Sequence, residues 1–558
     1  MSQGDSCWRV CSKGLYSCHW TGPSENKRKC ACCWFSVIAL VSLLFLCWMY
    51  ICLVTFNDRD DVNWQAFTHL KQWVNWFMVM IIISAVFTSY CLLLLLFALF
   101  QVALREPLDL HWLHKIFLVL GVIFIAFWVT GFSIQWKQEW PTLPFSLLAT
   151  GPFLQFGAVG ALTLLSPFIF RGFHMATEKW SKFLIAVVFA VVSAAIFLCP
   201  LFIRSPCLRE QPLPEKPKLI GHRGAPMLAP ENTMMSFNRS IACGVTAFET
   251  DVQLSKDRIP FLMHDHNPGF LRRTTNIEEK FPNTNFSHSS NFTWEELQSL
   301  NAGEWFLKTD PFHSVSKLSQ YEMETARNQN IPSLLQLLNL ARQHNISVIF
   351  DLYSPDEDND TEDTVDTILR SGIDPSLVLW LPAAKREYVK KTAPGFIQVY
   401  NDSDTLKEQG GKYLNVKYSK LSMEDISNYG NAGITMNMWV VNERWLFSLL
   451  WCAGVSSVTT NSCHLLKDMD QPDWFLPPQT YTIIWITVDI ASIVIMTGLY
   501  IFQRKTHCHC HRKGTKKQRN NTSARKQEEL FCFLPTSCSN SKVDVHLCLH
   551  CTKGLDLH

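Results

Sequence analysis

Apolar residues are unevenly spread along this chain. Six runs, at roughly 34–56, 77–100, 116–134, 142–170, 183–203 and 482–502, are apolar almost throughout. Each is long enough to cross a hydrocarbon layer of about 30 Å as a helix. The pattern predicts six membrane spans, five before and one after a segment of different texture. The first run is not read as a cleavable leader, because it is long, starts late and lacks a small-residue cleavage site before polar sequence. Between the fifth and sixth runs, short apolar stretches alternate with helical ones such as 331-IPSLLQLLNLARQHN-345. Strands are predicted at 218–221, 247–254, 260–264, 346–352, 377–381, 396–400, 413–417, 434–441 and 456–460. The link Ser255-Lys256-Asp257-Arg258 is too short for a parallel crossover, which takes a dozen or more residues. The pair around it is therefore a hairpin, with 260–264 an extension of the second strand, and eight core strands remain. Eight strand–helix units in a segment of this length predict an α/β TIM barrel.

The expected organisation is a Cys-rich basic head (1–33), five membrane helices (34–203), a Pro-rich linker (204–217), a barrel domain (218–470), a sixth membrane helix (482–502) and a basic, disordered tail (503–558). One connection, from about 265 to 330, is far longer than a barrel needs and reads as an insertion or lid after the second strand.

Charge adds orientation. The net charge of +2 over 558 residues implies neither a nucleic acid nor an acidic partner. Arg9, Lys13, Lys27, Arg28 and Lys29 precede the first span, the segment 171–182 carries three basic residues, and the tail is strongly basic. The alternate loops hold only Arg59 and Lys71, and Lys137. The excess of cations on one side predicts both termini in the cytosol and residues 204–478 outside it. Trp64, Trp73, Trp76, Trp136 and Trp140 flank the spans on the outer side, as interfacial aromatics do. Asn238, Asn285, Asn291, Asn345, Asn359 and Asn401 are glycosylation acceptors by context, all in the outer segment. The first five spans show no charge of the kind a pump or voltage sensor buries, so a six-span transporter is disfavoured.

Cysteines divide the same way. The outer segment holds Cys207, Cys243, Cys452 and Cys463, which allow three pairings; Cys452 with Cys463, across a short helix-to-strand link, is the expected one. Cys30, Cys32 and Cys33 abut the first span as palmitoylation candidates or ordinary thiols. The tail motifs 507-HCHCH-511 and 548-CLHC-551 have zinc-ligand residue types without zinc-site spacing.

The chemistry gathers at strand ends. His222 and Arg223 end the first strand, and Glu249 and Asp251 alternate at the end of the second, so both face one way. His264 returns on the hairpin, and Asp351 ends the third core strand. Any one of these residues is unremarkable, since a lone Glu-x-Asp is usually a surface face and a lone His usually a core or surface residue. Together they are two imidazoles, one guanidinium and three acids at the C-terminal end of a barrel, where such folds place catalysis. An oxygen-only cluster suits Mg²⁺ or Ca²⁺. Metal and Arg223 would neutralise a phosphate, while two histidines serve as base and acid, which favours cleavage of a phosphodiester.

The set 221-GHRG-224, 230-PENT-233, 249-ETD-251 and 264-HD-265, with 272-RRTTN-276, 302-AGEWF-306, 331-IPSL-334, 439-WVVN-442 and 454-GVSSVTTN-461, resembles the glycerophosphodiester phosphodiesterase family. With its flanking spans the chain looks like that family's animal six-span branch. The resemblance implies His222 as general base, His264 as general acid, Arg223 on the phosphate and Glu249, Asp251 and Asp351 as ligands of Ca²⁺ or Mg²⁺. It implies an aromatic wall at Trp439 and a supporting role for Glu231. Departures are Asp351 where the family usually has Glu, Tyr353 where it has Lys, Asn461 where it has Asp, and Asp257-Arg258 where it has Asp-Gly. The implied substrates are glycerophosphocholine- or glycerophosphoinositol-like diesters. Glycosylphosphatidylinositol anchors or lysophospholipids are the alternative, and a catalytically weak surface receptor is the alternative of another class. The implied location is the plasma membrane with the barrel extracellular, or an endomembrane with the barrel lumenal.

Overall fold

A computed structural model describes residues 31–518, apart from 56, 58, 71–72, 105–109, 136, 177, 265–268, 283, 285 and 355–358. Among the described residues, six helices are long and apolar enough to cross a membrane: Trp34–Val54, Trp76–Gln101, Trp112–Ile134, Thr142–His174, Lys179–Leu201 and Pro478–Lys505. They match the six predicted runs, and the chain is an integral membrane protein. Their outward faces are rows of exposed Leu, Ile, Val and Phe, as a lipid-facing surface requires. Inside the bundle, polar side chains find partners on neighbouring helices. Trp48 Nε1 donates to Ser84 at 3.1 Å, and Thr163 meets Ser492 at 2.6 Å. The expectation of no buried charge concerned the first five spans; the sixth span buries Asp489, whose Oδ1 accepts from Gln155 of the fourth span at 3.3 Å. A single acid tied to one amide acts as helix–helix glue.

Nine strands follow: β1 (Lys218–His222), β2 (Ala247–Leu254), β3 (Pro260–Leu262), β4 (Ser347–Leu352), β5 (Val378–Trp380), β6 (Ile397–Tyr400), β7 (Tyr413–Lys417), β8 (Thr435–Trp439) and β9 (Ser457–Thr460). Their order is β1-β9-β8-β7-β6-β5-β4-β2-β3, and β1 also pairs with β2. Eight parallel strands thus close on themselves, and β3 is the antiparallel arm of the hairpin. The predicted TIM barrel is borne out, and the insertion after the second strand is a set of short helices from Gly269 to Arg327. They pack around their own small core of Phe261, Phe270, Phe286, Phe292 and Leu297.

Strand parity decides what faces inward. Ile220, Ala247, Ile349, Leu381 and Val399 fill the barrel, while Phe248, Val252, Val348 and Phe350 pack outward under the helices. Side chains two residues on share a face, so His222, Glu249, Asp251 and Asp351 continue the inner face to the mouth. Lower in the barrel, Asn437 donates to Asn415 at 2.7 Å and Thr459 at 2.8 Å and accepts from Ser457 at 2.9 Å, which satisfies a polar layer there.

The mouth is docked against the bundle. At the end of β7, Lys417 reaches Glu139 at 2.5 Å and Tyr418 meets Thr142 at 2.7 Å. After β8, Asn57 bonds Val440, Asn442 and Glu443. After β3, Phe270 packs on Trp64 with ring centroids 4.2 Å apart.

The cysteines correct the expected pairing: Cys207 bonds Cys452, and Cys243 bonds Cys463. Cys452 sits on the inner side of its helix, where the incoming linker runs, with Arg209 donating to its carbonyl at 2.7 Å. β9 lies between Cys452 and Cys463 in sequence, and each pairs instead with a cysteine that precedes the second strand. Cys30, Trp136 and residues 519–558 fall outside what is described, as do the side chains of Cys32, Cys33 and 507-HCHCH-511; the last helix, Pro478–Gln518, runs past the sixth span into the first part of the tail expected to be disordered. Peptide mapping of the unreduced protein should recover 207–452 and 243–463 cross-links and no 452–463 link. Each bridge spans more than 200 residues, and replacing Cys207 or Cys243 by Ser should lower unfolding stability by about 2–5 kcal/mol in a denaturant titration.

Candidate active site

The turn after β1 presents two of the site's groups, and glycines make that turn possible. Arg223 and Gly224 both adopt positive φ, 49° and 87°. A side chain at Gly221 would meet the Gly224 carbonyl at 2.6 Å, and one at Gly224 would strike Ser236. The turn is locked by Ser236 Oγ, which donates to the Arg223 carbonyl at 2.9 Å, and by Thr233, which caps the following helix. This explains why Pro-Glu-Asn-Thr follows Gly-His-Arg-Gly: one stretch shapes the turn and the other fastens it.

The Arg223 guanidinium is buried among acids. Nη1 lies 3.4 Å from Glu231, Nε lies 3.3 Å from Asp251, and the Arg223 backbone N–H donates to Glu249 Oε2 at 3.0 Å. Asp251 also accepts from Asn232 at 3.2 Å, and Asn232 accepts from Thr250 at 2.9 Å. Glu231 takes a second guanidinium, that of the buried Arg273. Arg273 stands over the rings of Phe270, Trp73, Trp305 and Trp64 at 4.2–5.2 Å.

His222 is oriented by Asn461, whose Oδ1 lies 2.6 Å from Nδ1. An amide oxygen only accepts, so Nδ1 carries the proton and Nε2 is left as the basic atom, 3.8 Å from Glu249. Burial, and then the Arg223 charge, pushes the imidazole well below its ordinary pKa, which keeps it neutral and able to take a proton. His264 stands close enough to add to that depression. Its ring lies 4.5 Å from Phe270 and 5.0 Å from Tyr353. Where the family has a lysine, this chain therefore has an aromatic face beside its second imidazole.

Asp351 is side by side with Asp251 in the β2–β4 register. Burial and then the neighbouring Asp251 push its carboxyl up to about 7. Burial, followed by Asp251, also holds Glu249 well above the carboxylate range. Three acids share the mouth with Arg223, which relieves part of their repulsion. All are hard oxygen donors, the chemistry that suits Ca²⁺ or Mg²⁺. Among the described residues, no three His, Cys, Asp or Glu side chains already stand together as a ready-made cage. Trp439 ends β8 half-buried beside Lys417 in register.

Asn238, Asn291, Asn345 and Asn401 are exposed and Asn359 is half-buried, while Asn285 lies outside the described residues. Sequence reasoning missed Arg273, Asn232, Asn442 and Lys417. Arg273 and Asn232 were within quoted motifs, and inner-face parity on β7 marks Lys417. Asn461, read as a departure, turns out to be the residue that orients His222.

Comparison with known proteins follows the same lines. The Glycerophosphoryl diester phosphodiesterase family model matches residues 222–408. The glycerophosphoinositol inositolphosphodiesterase GDPD2 of Mus musculus is 43% identical over 508 residues, 89% of this chain and 94% of that protein. Glycerophosphodiester phosphodiesterase domain-containing protein 5 of Gallus gallus is 39% identical over 88% of this chain and 84% of its own length. A solved phosphodiesterase of Oleispira antarctica, in complex with sn-glycerol-3-phosphate, is 22% identical and covers 45% of this chain and 95% of its own, with a TM-score of 0.37. This chain belongs to the glycerophosphodiester phosphodiesterase family and is a phosphoric diester hydrolase.

Proposed function

We infer that the protein is a membrane-anchored, divalent-metal-dependent hydrolase of glycerophosphodiesters, with its barrel outside the cytosol. The observation that carries this reading is the meeting of two imidazoles, one guanidinium and three acids at one barrel mouth. Glycerophosphoinositol is the first substrate to test, because it stands in the name of a relative 43% identical to this chain.

His222 Nε2 takes the proton of the attacking oxygen, either water or a hydroxyl adjacent to the phosphate. If that hydroxyl attacks, a cyclic phosphate precedes hydrolysis. Arg223 lies against the phosphate oxygens and balances the charge that grows on them. His264 returns a proton to the departing oxygen. Glu249, Asp251 and Asp351 would hold the Ca²⁺ or Mg²⁺, which when bound supplies further stabilisation of negative charge. Trp439 forms a wall for the alcohol part of the substrate.

A second reading is favoured by one feature. The mouth is docked against the outer ends of the spans, where a lipid-linked phosphodiester, an anchor or a lysophospholipid, would arrive. The orientation draws support from two disulfides, which persist in oxidising compartments, and from exposed glycosylation sites. The plasma membrane with the barrel extracellular is the expected location.

Product analysis by mass spectrometry, on a glycerophosphodiester panel and an anchored protein, tests substrate and bond. His222→Ala and His264→Ala should each lower kcat by about 10²–10⁴-fold; undiminished turnover in both would remove their roles. Chelation should abolish turnover and added Ca²⁺ or Mg²⁺ restore it, whereas full activity after chelation removes the metal. A receptor reading requires no hydrolysis under any condition. Enzymatic deglycosylation of protein from intact cells should shift its mass by several glycans, and an unshifted band argues for a cytosolic barrel.

A further inference from the structure

The connection between the first and second spans is not only a tether. It touches the catalytic centre's neighbours along two separate routes. Asn57 is 1% exposed and clasps the segment after β8 from both sides. Its Oδ1 accepts from the backbone of Asn442 at 2.8 Å and of Glu443 at 3.2 Å; its own carbonyl accepts from Asn442 Nδ2 at 3.2 Å. Asn442 Oδ1 in turn accepts from the Asn461 backbone N–H at 2.8 Å, and Asn461 is the residue that fixes His222.

The second route starts at Trp64 and Trp73. Their rings stand 5.2 and 4.9 Å from the Arg273 guanidinium and complete a box whose other walls are Phe270 and Trp305 of the barrel's insertion. Within the box Arg273 is turned on Glu231, which shares its other oxygen with Arg223. A buried guanidinium keeps its place when aromatic faces replace its water and a carboxylate takes its donors. Opening two walls admits water and frees Arg273 from Glu231, and Arg223 then loses the support that aims it.

We propose that the first outer connection, through Asn57, Trp64 and Trp73, is a positioning part of the active site, one arm setting His222 and the other setting Arg223. This inference rests on the roles given to those two residues above. The barrel alone is thus an incomplete enzyme, and catalysis depends on its seat on the membrane domain.

The two arms act on different quantities. His222 moves a proton only during the chemical step, so loosening it lowers kcat and leaves KM in place. Arg223 holds the phosphate before and during the step, so loosening it raises KM as well. Full-length protein in detergent, assayed on glycerophosphoinositol, separates them. Asn57→Ala should lower kcat by about 10-fold or more with KM within about twofold. Trp64→Leu with Trp73→Leu should raise KM by about 10-fold and lower kcat, and Trp64→Phe with Trp73→Phe should restore both. Phe153→Leu is the control: Phe153 of the fourth span packs on Trp474, in the segment between the barrel and the sixth span, with ring centroids 4.7 Å apart, and touches neither Asn57 nor the Arg273 box. It should leave kcat and KM unchanged. Folded Asn57 and Trp variants with wild-type constants overturn the proposal, as do equal losses in all variants including Phe153→Leu. Should the double Leu variant fail to fold, Trp73→Leu against Trp73→Phe carries the same comparison. Absence of wild-type turnover would count against the function itself, and wild-type turnover with unaffected variants against this inference alone.

Discussion

One guanidinium among buried carboxylates is the interaction on which the site depends. Arg223 is 8% exposed and stands between Glu231 and Asp251, with its backbone tied to Glu249. Burying that many acids in one mouth is unfavourable unless cations answer them. Arg223 answers part of the charge, and Arg273 answers Glu231 from behind. Burial, and then the neighbouring Asp251, raises the carboxyls of Glu249 and Asp351. These hard oxygen donors suit the Ca²⁺ or Mg²⁺ proposed for the site, and Arg223 suits the proposed phosphate.

Around that centre the molecule supplies rigidity in layers. Closed strand pairing fixes the height of each inner residue, so that Asp251 and Asp351 lie level across β2 and β4. A glycine-bounded turn aims His222 and Arg223, and Thr233 fastens the turn to the next helix. Two disulfides tie the linker and the first helix to the barrel's last elements, closing the ring covalently where the chain itself is open. The bundle then meets the mouth at Asn57, Trp64, Glu139 and Thr142.

The departures from the family pattern take on different meanings in this setting. Asn461 in place of Asp still accepts from His222, but as a neutral group it adds no charge to favour the imidazolium. Tyr353 in place of Lys brings a ring beside His264 and removes a cation from the mouth. Lys417 stands on the inner face of β7, yet Glu139 of the membrane domain takes its charge. Among the described residues Arg223 is thus the cation that stands against Asp251 at the mouth.

Much of this was legible in the residues. Six long apolar runs could only be membrane helices, because no soluble core of this size hides them. Period-two and helical patterns alternated often enough to give eight core strands and one hairpin. Motif spacing put His222, Arg223, Glu249, Asp251, His264 and Asp351 at strand ends. These features are local, and local sequence fixes them through propensity, periodicity and length. The disulfide partners, the buried Asp489 pair, the aromatic box around Arg273 and the contact of Asn57 with Asn442 were not legible. Each joins residues that are distant in sequence, and such neighbours exist only once the barrel has closed and docked. Sequence determined the groups and the face they share; tertiary structure decided what surrounds each group, and burial and neighbouring charge set its reactivity.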